Sequence, residues 1–444
     1  MKRIAVIGGG YTGLTAAYRL SQAGYTVTIY EKSEDFGGLT SGFEIQGQNL
    51  EKTYHHIFRT DKDIINLAKE LGIGDKLLWL KSSMGILSDG QIWEFGTPKS
   101  LLKFKPLAFI NRIRYGITLL YLAKSNNWKK FEKVPAYKWV EKWSGKQAMN
   151  VIWEPLLKGK FDRFYNRVSM AWLWARIHTR GNSQEKGGEK LGYFSGGFNT
   201  FTQKLIEELK KNGVNLINNA DITYLSSNLN SDDDMVKLKI KRDGKESTEV
   251  FHKVIITIPS FSLARIIEGN VFGIEDYIKK LDSIDYIGAV VAIFTSDQEL
   301  GKYYWNNIND TNIPFLAFIN HTKLVDKSVY NNKNIYYIGS YVDHNHKYFE
   351  MKDEDIMKDW FNGVKKIFPE FTEEKIIDKK LFKFKYAQHI VDTDYAEKIP
   401  HHKTPLKGVY LANFSQIYPE DRGTNFAVRE GNLIAKMLIS EEKN

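Results

Sequence analysis

Residues 4–13, Ile-Ala-Val-Ile-Gly8-Gly-Gly10-Tyr11-Thr12-Gly13, lead through Ala17, Leu20, Gly24 and Val27 to Glu31. Ile4 to Ile7 is a short apolar run without charge, as a strand buried on both faces of a parallel sheet requires. The chain must then turn sharply into a helix. Gly8 permits the tight turn, Gly10 lets backbone approach a pyrophosphate, and Gly13 lets helix and strand pack closely. The helix N-terminus adds unpaired N–H groups and the positive end of its dipole. Thr26 to Tyr30 reads as the second strand, and Glu31 stands where an acid accepts the ribose hydroxyls. The spacing predicts a dinucleotide site.

Beyond Glu31 the chain runs Lys32-Ser-Glu-Asp-Phe-Gly37-Gly38-Leu39-Thr40. A second glycine pair just past the acid suits a loop that returns beneath the same pyrophosphate and a bulky ring system. With these features the chain resembles the flavin-containing amine oxidase superfamily, which includes protoporphyrinogen oxidase, phytoene desaturase and monoamine oxidase. Tyr193-Phe-Ser-Gly196-Gly197-Phe198, a helix to Lys211 and Gly213-Val-Asn-Leu-Ile are similar to the family's return to its FAD domain. Ile222 matches the position where the family's backbone meets the adenine, and Val254 to Pro259 resembles its next strand. Gly408 to Asn413, then Asp421-Arg422-Gly423-Thr424-Asn425 and a last helix, resemble the closing FAD segment. That segment normally carries Gly-Asp or Gly-Glu after its strand. Here Asn413-Phe414 stands in its place, so the acid that binds the ribityl chain is absent or displaced to Asp421.

The resemblance implies non-covalent FAD. The residues it points to are Gly8, Gly10, Tyr11, Thr12, Gly13, Glu31, Lys32, Gly37, Gly38, Leu39, Thr40, His55, His56, Ile222, Asn413, Arg422, Gly423, Thr424 and Asn425. It also implies an α/β fold: a Rossmann-type FAD-binding domain, glutathione-reductase-like, interleaved with an α+β substrate domain. The FAD domain is expected over 1–85, 190–265 and 388–444. The substrate domain is expected over 86–189, helical and rich in aromatic residues, and over 266–387, mainly sheet. Gly85 to Phe95 reads as a hairpin with Asp89-Gly90 at its tip. Alternation predicts strands near Ile287–Phe294, Phe315–Ile319 and Ile335–Val342. Loops are expected at Gly187-Gly188 and at 232–234.

Composition bounds the function. The chain has 444 residues and no Cys, which excludes disulfides, thiolate metal ligands, a Cys nucleophile and a cysteinyl-flavin link. Absence of Cys fits a reducing cytoplasm, and the four-residue apolar run before the first glycines is too short for a signal peptide. Net charge is +10, from 63 Lys and Arg against 53 Asp and Glu. No nucleic-acid motif accompanies that excess. The segment Leu101 to Lys130 interleaves Lys103, Lys105, Arg112, Arg114, Lys124, Lys129 and Lys130 with Phe104, Leu107, Phe109, Ile110, Ile113, Ile117, Leu120 and Leu122. An amphipathic helix pair packing the substrate domain is the first expectation. Peripheral contact with an anionic membrane, at its inner face, is the second.

Three sets of residues are candidates for chemistry. Tyr54-His55-His56-Ile57-Phe58-Arg59-Thr60 follows Gly38 at the distance where the family's chain passes the flavin, and His56-Ile-Phe-x-Thr60 is similar to a motif of UDP-galactopyranose mutase. Adjacent histidines that titrate near neutrality can move a proton. Arg176 and Arg180, one helical turn apart among aromatic residues, can grip an anionic substrate head. Asn320-His321-Thr322 follows an apolar strand, which makes His321 a further candidate or a strand-end turn. No metal centre is expected. The sequence therefore predicts an FAD-dependent oxidoreductase moving hydride to or from an apolar small-molecule or lipid substrate, of isoprenoid, tetrapyrrole or amine-like kind. Its alternative is a non-redox flavin-dependent sugar-nucleotide mutase.

Overall fold

A computed structural model describes residues 2–183, 188–227, 235–268 and 272–441. The loops expected at Gly187 and at 232–234 lie outside these residues.

The strand Arg3–Ile7 is the middle of a five-stranded parallel sheet, ordered Val409–Leu411, Lys253–Ile256, Arg3–Ile7, Thr26–Tyr30, Asn215–Ile217. Ile4, Ala5 and Val6 are fully buried, which accounts for their lack of charge. Helices Tyr11–Gln22, Phe198–Lys211 and Thr424–Glu441 cover one face. Gly431 sets how closely the last of these approaches the first: a Cβ there would stand 2.6 Å from the Thr12 carbonyl oxygen. The other face is covered by an antiparallel meander of Ala220–Ser227, Val236–Arg242 and Lys245–Phe251. Strands far apart in sequence thus build one sheet, and the segments between them leave to build the rest.

The second sheet has seven strands in the order Ile376–His389, Tyr286–Ser296, Asn334–Asp343, Ala317–Asn320, Trp305–Ile308, Met84–Ser88, Gln91–Phe95. All neighbours pair antiparallel except Trp305–Ile308 with Met84–Ser88. Ser88 pairs with Gln91, and the intervening Asp89 and Gly90 both have positive φ (54° and 71°), so the expected Asp-Gly turn is of type I′. Tyr286–Ser296 is buried along its whole length. Its alternate residues Val290, Ala292 and Phe294 meet helix Asp353–Ile367 through Phe361, while Val291 and Ile293 face a cluster containing Leu50, Tyr304 and Tyr337. Between Gln91–Phe95 and Lys190–Phe194 lies a helical region, whose core includes Phe104, Tyr115, Trp153, Phe161 and Trp172.

Candidate functional site: a glycine cradle and a cation cluster on one crevice

At the C-terminal end of Arg3–Ile7 the Gly8 N–H donates to the Tyr30 carbonyl (2.8 Å), and φ of 109° at Gly8 turns the chain away. Glu31 ties the second strand to this turn: one carboxylate oxygen accepts from Gly9 N (2.7 Å), the other from Ser33 N (2.8 Å). Gly13 has no room for a side chain, since a Cβ would stand 2.0 Å from the Gly8 carbonyl oxygen. Gly10 is the opposite case. A Cβ there would meet only the Gly38 Cα, at 3.9 Å. The Gly37 N–H donates to the Gly9 carbonyl (2.8 Å), so the second glycine pair is held against the first. Gly10 also begins helix Tyr11–Gln22 without any side-chain cap, leaving its first-turn donors to face the same open side. Backbone N–H groups around a cradle without side chains fit the diphosphate of a dinucleotide.

Other residues expected at the cofactor occupy different places. Tyr11 turns its side chain inward, with its hydroxyl 3.0 Å from Thr202 Oγ1 and its ring against Phe201, so only its backbone belongs to the cradle. The Thr40 hydroxyl donates to the Gly37 carbonyl (2.7 Å), and Thr12 is buried under the helix. Lys32 is exposed and paired with Asp221 (2.8 Å). Ile222 buries its side chain beside a bulge in strand Ala220–Ser227, leaving only backbone for an adenine. The Asn413 amide is fully used: its nitrogen donates to the Ile258 carbonyl (2.7 Å) and its oxygen accepts from Ser415 N (2.9 Å). Asn425 likewise caps helix Lys62–Glu70, accepting from Asp63 N (2.8 Å). Thr424 is buried, and Arg422 and Gly423 precede the N-terminus of helix Thr424–Glu441.

The loop with the paired histidines is hung from this cradle. Thr53 Oγ1 donates to the Leu39 carbonyl (3.1 Å), and His55 Nδ1 lies 2.8 Å from the Thr53 carbonyl oxygen. Tyr54 packs edge-on to Trp305 at 4.9 Å, and His56 edge-on to Phe58 at 5.0 Å. His56 Nδ1 is buried and has no partner among the described residues. Burial, chiefly, pushes His55 down to about 4 and His56 down to about 3. Both rings are therefore neutral near pH 7, contrary to the expectation that they titrate there. What sequence could not show is that burial outweighs the carboxylate of Glu189 near His56.

Arg176 and Arg180 do not act as a pair. Arg180 is held bidentately by Glu189, with both contacts 2.7 Å. Arg176 instead reaches Asp421. Asp421 also accepts from Gln388 Nε2 (2.8 Å) and Trp172 Nε1 (3.2 Å), and lies 3.6 Å from Lys160 Nζ. Burial raises the Asp421 carboxyl, but Lys160, Arg176 and Arg422 together hold it well below the usual carboxylate range. Lys160 Nζ stands 4.5 Å above the Tyr341 ring, whose hydroxyl lies 3.4 Å from Arg422 Nη2. Burial alone would raise the Tyr341 phenol; Lys160 and Arg422 outweigh it and pull it down. Asp421 is therefore engaged with helices Glu154–Phe161 and Met170–Ser183 through Lys160, Trp172 and Arg176. The charges of Arg422 and Arg176 act on His55 and His56 respectively, which makes the cluster and the histidine loop neighbours.

His321 stands apart from the cluster. It begins a turn after strand Ala317–Asn320, is buried, and lies 2.9 Å from the Tyr330 hydroxyl, boxed by Tyr193, Tyr330 and Tyr337. The imidazole thus lies at a strand-end turn, engaged by one hydroxyl and three rings. Conversely, Gln388 and Tyr341 were not singled out by the sequence. They lie on strands Ile376–His389 and Asn334–Asp343, and no local pattern connects them to Asp421.

Residues 11–421 match the model of the flavin containing amine oxidoreductase family. The chain is 24% identical over 353 residues to mitochondrial protoporphyrinogen oxidase of Nicotiana tabacum, an alignment covering 68% of this chain and 66% of that protein. It is 21% identical to 15-cis-phytoene desaturase of Synechococcus elongatus, over 99% of this chain and 96% of the relative. A crystal structure of reduced UDP-galactopyranose mutase superposes with a TM-score of 0.75 at 15% identity, covering 99% of this chain and 96% of that one. Taken with a cradle shaped for a dinucleotide, the match places this chain in the flavin containing amine oxidoreductase family, as an oxidoreductase whose cofactor is FAD.

Proposed function

We propose that this FAD-dependent oxidoreductase exchanges hydride with a largely apolar isoprenoid or tetrapyrrole, and that it meets this substrate at an anionic membrane surface. The outer face of helix Phe109–Lys124 carries the reading. Tyr115, Thr118 and Leu122 point inward, but Ile110, Ile117 and Leu120 are 71%, 63% and 61% exposed. Leu102 and Trp143 extend the patch. From Gly96 to Phe131 the chain carries eight Lys and Arg and no Asp or Glu. The packing expected of this segment therefore accounts for one helix face only. An apolar centre within a cationic rim matches the headgroup region of an anionic bilayer. No helix among the described residues is long and apolar enough to cross a membrane, so the contact is one-sided.

Bound FAD supplies the acceptor or donor of the hydride. The chain does the rest. Gly8 to Gly13 and the facing pair Gly37-Gly38 hold the diphosphate, and Glu31 sits at the ribose end. Tyr54, Trp305 and Tyr341 supply the rings that exclude water and orient an apolar substrate. His56 Nδ1, on a neutral ring, offers a hydrogen bond without adding charge. An amine-like substrate is disfavoured, because Lys160, Arg176 and Arg422 would repel it.

The test is the anaerobic visible spectrum of the purified protein during addition of polyprenoids, a porphyrinogen, amines and sugar nucleotides. Bleaching of the oxidised flavin band by a polyprenoid or porphyrinogen is expected; bleaching by amines alone overturns the substrate class. Sedimentation with phosphatidylglycerol vesicles, but not phosphatidylcholine vesicles, is the matching expectation for the membrane face. A second reading is the sugar-nucleotide mutase, favoured by His56 beside a cation cluster. Conversion of UDP-galactopyranose by the dithionite-reduced protein, with no donor bleaching the oxidised form, would establish it.

A further inference from the structure

We infer that Lys160, Arg176 and Arg422 form the seat of an anionic group on the substrate, a carboxylate or a phosphate, so that the substrate is an amphiphile with an acidic end. This rests on the apolar-substrate reading above and adds the chemistry of its polar end.

The charge balance of the cluster is uneven. Three cations converge, and the carboxylate they share is Asp421. Its two oxygens are already engaged by Gln388, Trp172, Arg176 and Lys160. Lys160 is 8% exposed, and burial pulls its ammonium down despite Asp421. Arg422 Nε is buried with no partner among the described residues, and its Nη2 makes a long contact, 3.4 Å, to the Tyr341 hydroxyl. A buried cation without a counter-charge is costly, and an unsatisfied guanidinium N–H adds to that cost. Three cations thus share one carboxylate beside the His55–His56 loop, and of the three Arg422 has no contact with it among those described. A monoanion or dianion placed there supplies what is missing. Guanidinium recognises carboxylate and phosphate alike, and Arg176 is 45% exposed at its side chain, so it stands at the mouth from which such a group enters.

Lys160 and Arg176 come from the helical region and not from the strands that build the dinucleotide cradle, whereas Arg422 lies two residues before helix Thr424–Glu441. A negatively charged reduced flavin is the other anion that could use these cations, and the experiment must distinguish the two.

Holoprotein is titrated with farnesyl phosphate against farnesol, and with coproporphyrin III against its tetramethyl ester, following perturbation of the visible flavin spectrum. In the wild type the acidic member of at least one pair binds at least about tenfold more tightly than its neutral partner. Which pair shows it tells phosphate from carboxylate. Lys160→Met and Arg176→Gln each remove most of that preference and leave the neutral ligand's affinity unchanged, with FAD content retained. Arg176→Gln, at an exposed position, keeps the test alive if the buried substitution misfolds. Equal binding of acid and neutral forms in the wild type overturns the proposal. So does a shift of the flavin reduction potential in Lys160→Met with the acid preference intact, since the cations then serve the cofactor. If UDP-galactopyranose binds through the same cations and neither amphiphile does, the anion seat stands and the apolar-substrate reading falls.

Discussion

The two ends of the crevice are built on opposite principles. The cradle at Gly8 to Gly13 and Gly37-Gly38 is made of backbone, and it works because side chains are missing from it. The cluster of Lys160, Arg176, Asp421 and Arg422 is made entirely of side chains, delivered by the helical region and by the last segment of the chain. Within the cradle Gly13 has a local steric reason, the 2.0 Å that its Cβ would leave to the Gly8 carbonyl, while Gly10 faces open space. In the cluster no residue has a local reason; each is held by partners from other elements, as Arg176 is by Asp421, 245 positions away. A site of the first kind tolerates almost any sequence around it. One of the second kind depends on the whole fold.

Substitutions can sharpen that contrast. Gly13→Ala sets a Cβ against backbone that cannot yield, and should lower unfolding free energy by more than about 3 kcal/mol in urea titrations. Retention of wild-type stability would mean that the helix can leave the strand at another angle. Asp421→Asn leaves Lys160 and Arg176 buried or half-buried without their carboxylate and should destabilise by about 3 kcal/mol at low salt. A neutral effect would show that the cluster is solvated and not load-sharing.

His389 tests the surroundings of the cluster through pH. It is fully buried between Tyr395 and Phe414, and burial pushes its imidazole from 6.5 down to about 4. The folded ring stays neutral where the unfolded one charges, so the unfolded chain binds more protons below 6.5. The stability it contributes is complete above 6.5 and is lost as pH falls toward 4, about 3 kcal/mol in all. His389→Phe should therefore flatten the acid side of the stability profile measured by thermal melting across that window; an unchanged slope removes His389 from the account. Glu51 acts in the opposite sense. Burial holds its carboxyl up to about 7, so its contribution is present below 4.5 and lost as pH rises through 7.

Smaller effects on stability carry more about function. Gly10→Ala meets only Gly38 Cα at an ordinary distance, so the fold should survive while bound FAD, read as flavin absorbance per protein, falls below detection. Stoichiometric FAD in that variant would show that the diphosphate does not approach Gly10. Ile117→Glu lies on the exposed helix face and should shift stability by no more than about 0.5 kcal/mol. Its expected effect is on partition to phosphatidylglycerol vesicles, and unchanged partition would move the membrane contact elsewhere.

The cradle was legible in the sequence because its geometry is set by neighbours within a few residues: turn, cap and strand end all lie between Ile4 and Glu31. The Asp89-Gly90 hairpin and the strands around Ile287, Phe315 and Ile335 were legible for the same reason. Arg176 and Arg180 were found as cations one turn apart among aromatics, but spacing could not show that they bind separate carboxylates, Asp421 and Glu189. The histidines were found by position, but their charge state follows from burial, which spacing does not report. His321 looked like a site residue until its imidazole met three tyrosine rings. The apolar residues of helix Phe109–Lys124 read as packing from their periodicity, and only the fold shows which of two apolar faces is left uncovered.

By itself, then, the amino-acid sequence determined the dinucleotide turn, the parallel strand that carries it, and the family that these features resemble, since all of them depend on short-range sterics and hydrogen bonding. Tertiary structure alone decided that Lys160, Arg176, Asp421 and Arg422 meet, that His55 and His56 are neutral, and that Asn413 is spent on the backbone at Ile258. Those outcomes depend on burial and on charges brought together across the chain, and neither is written in the order of residues.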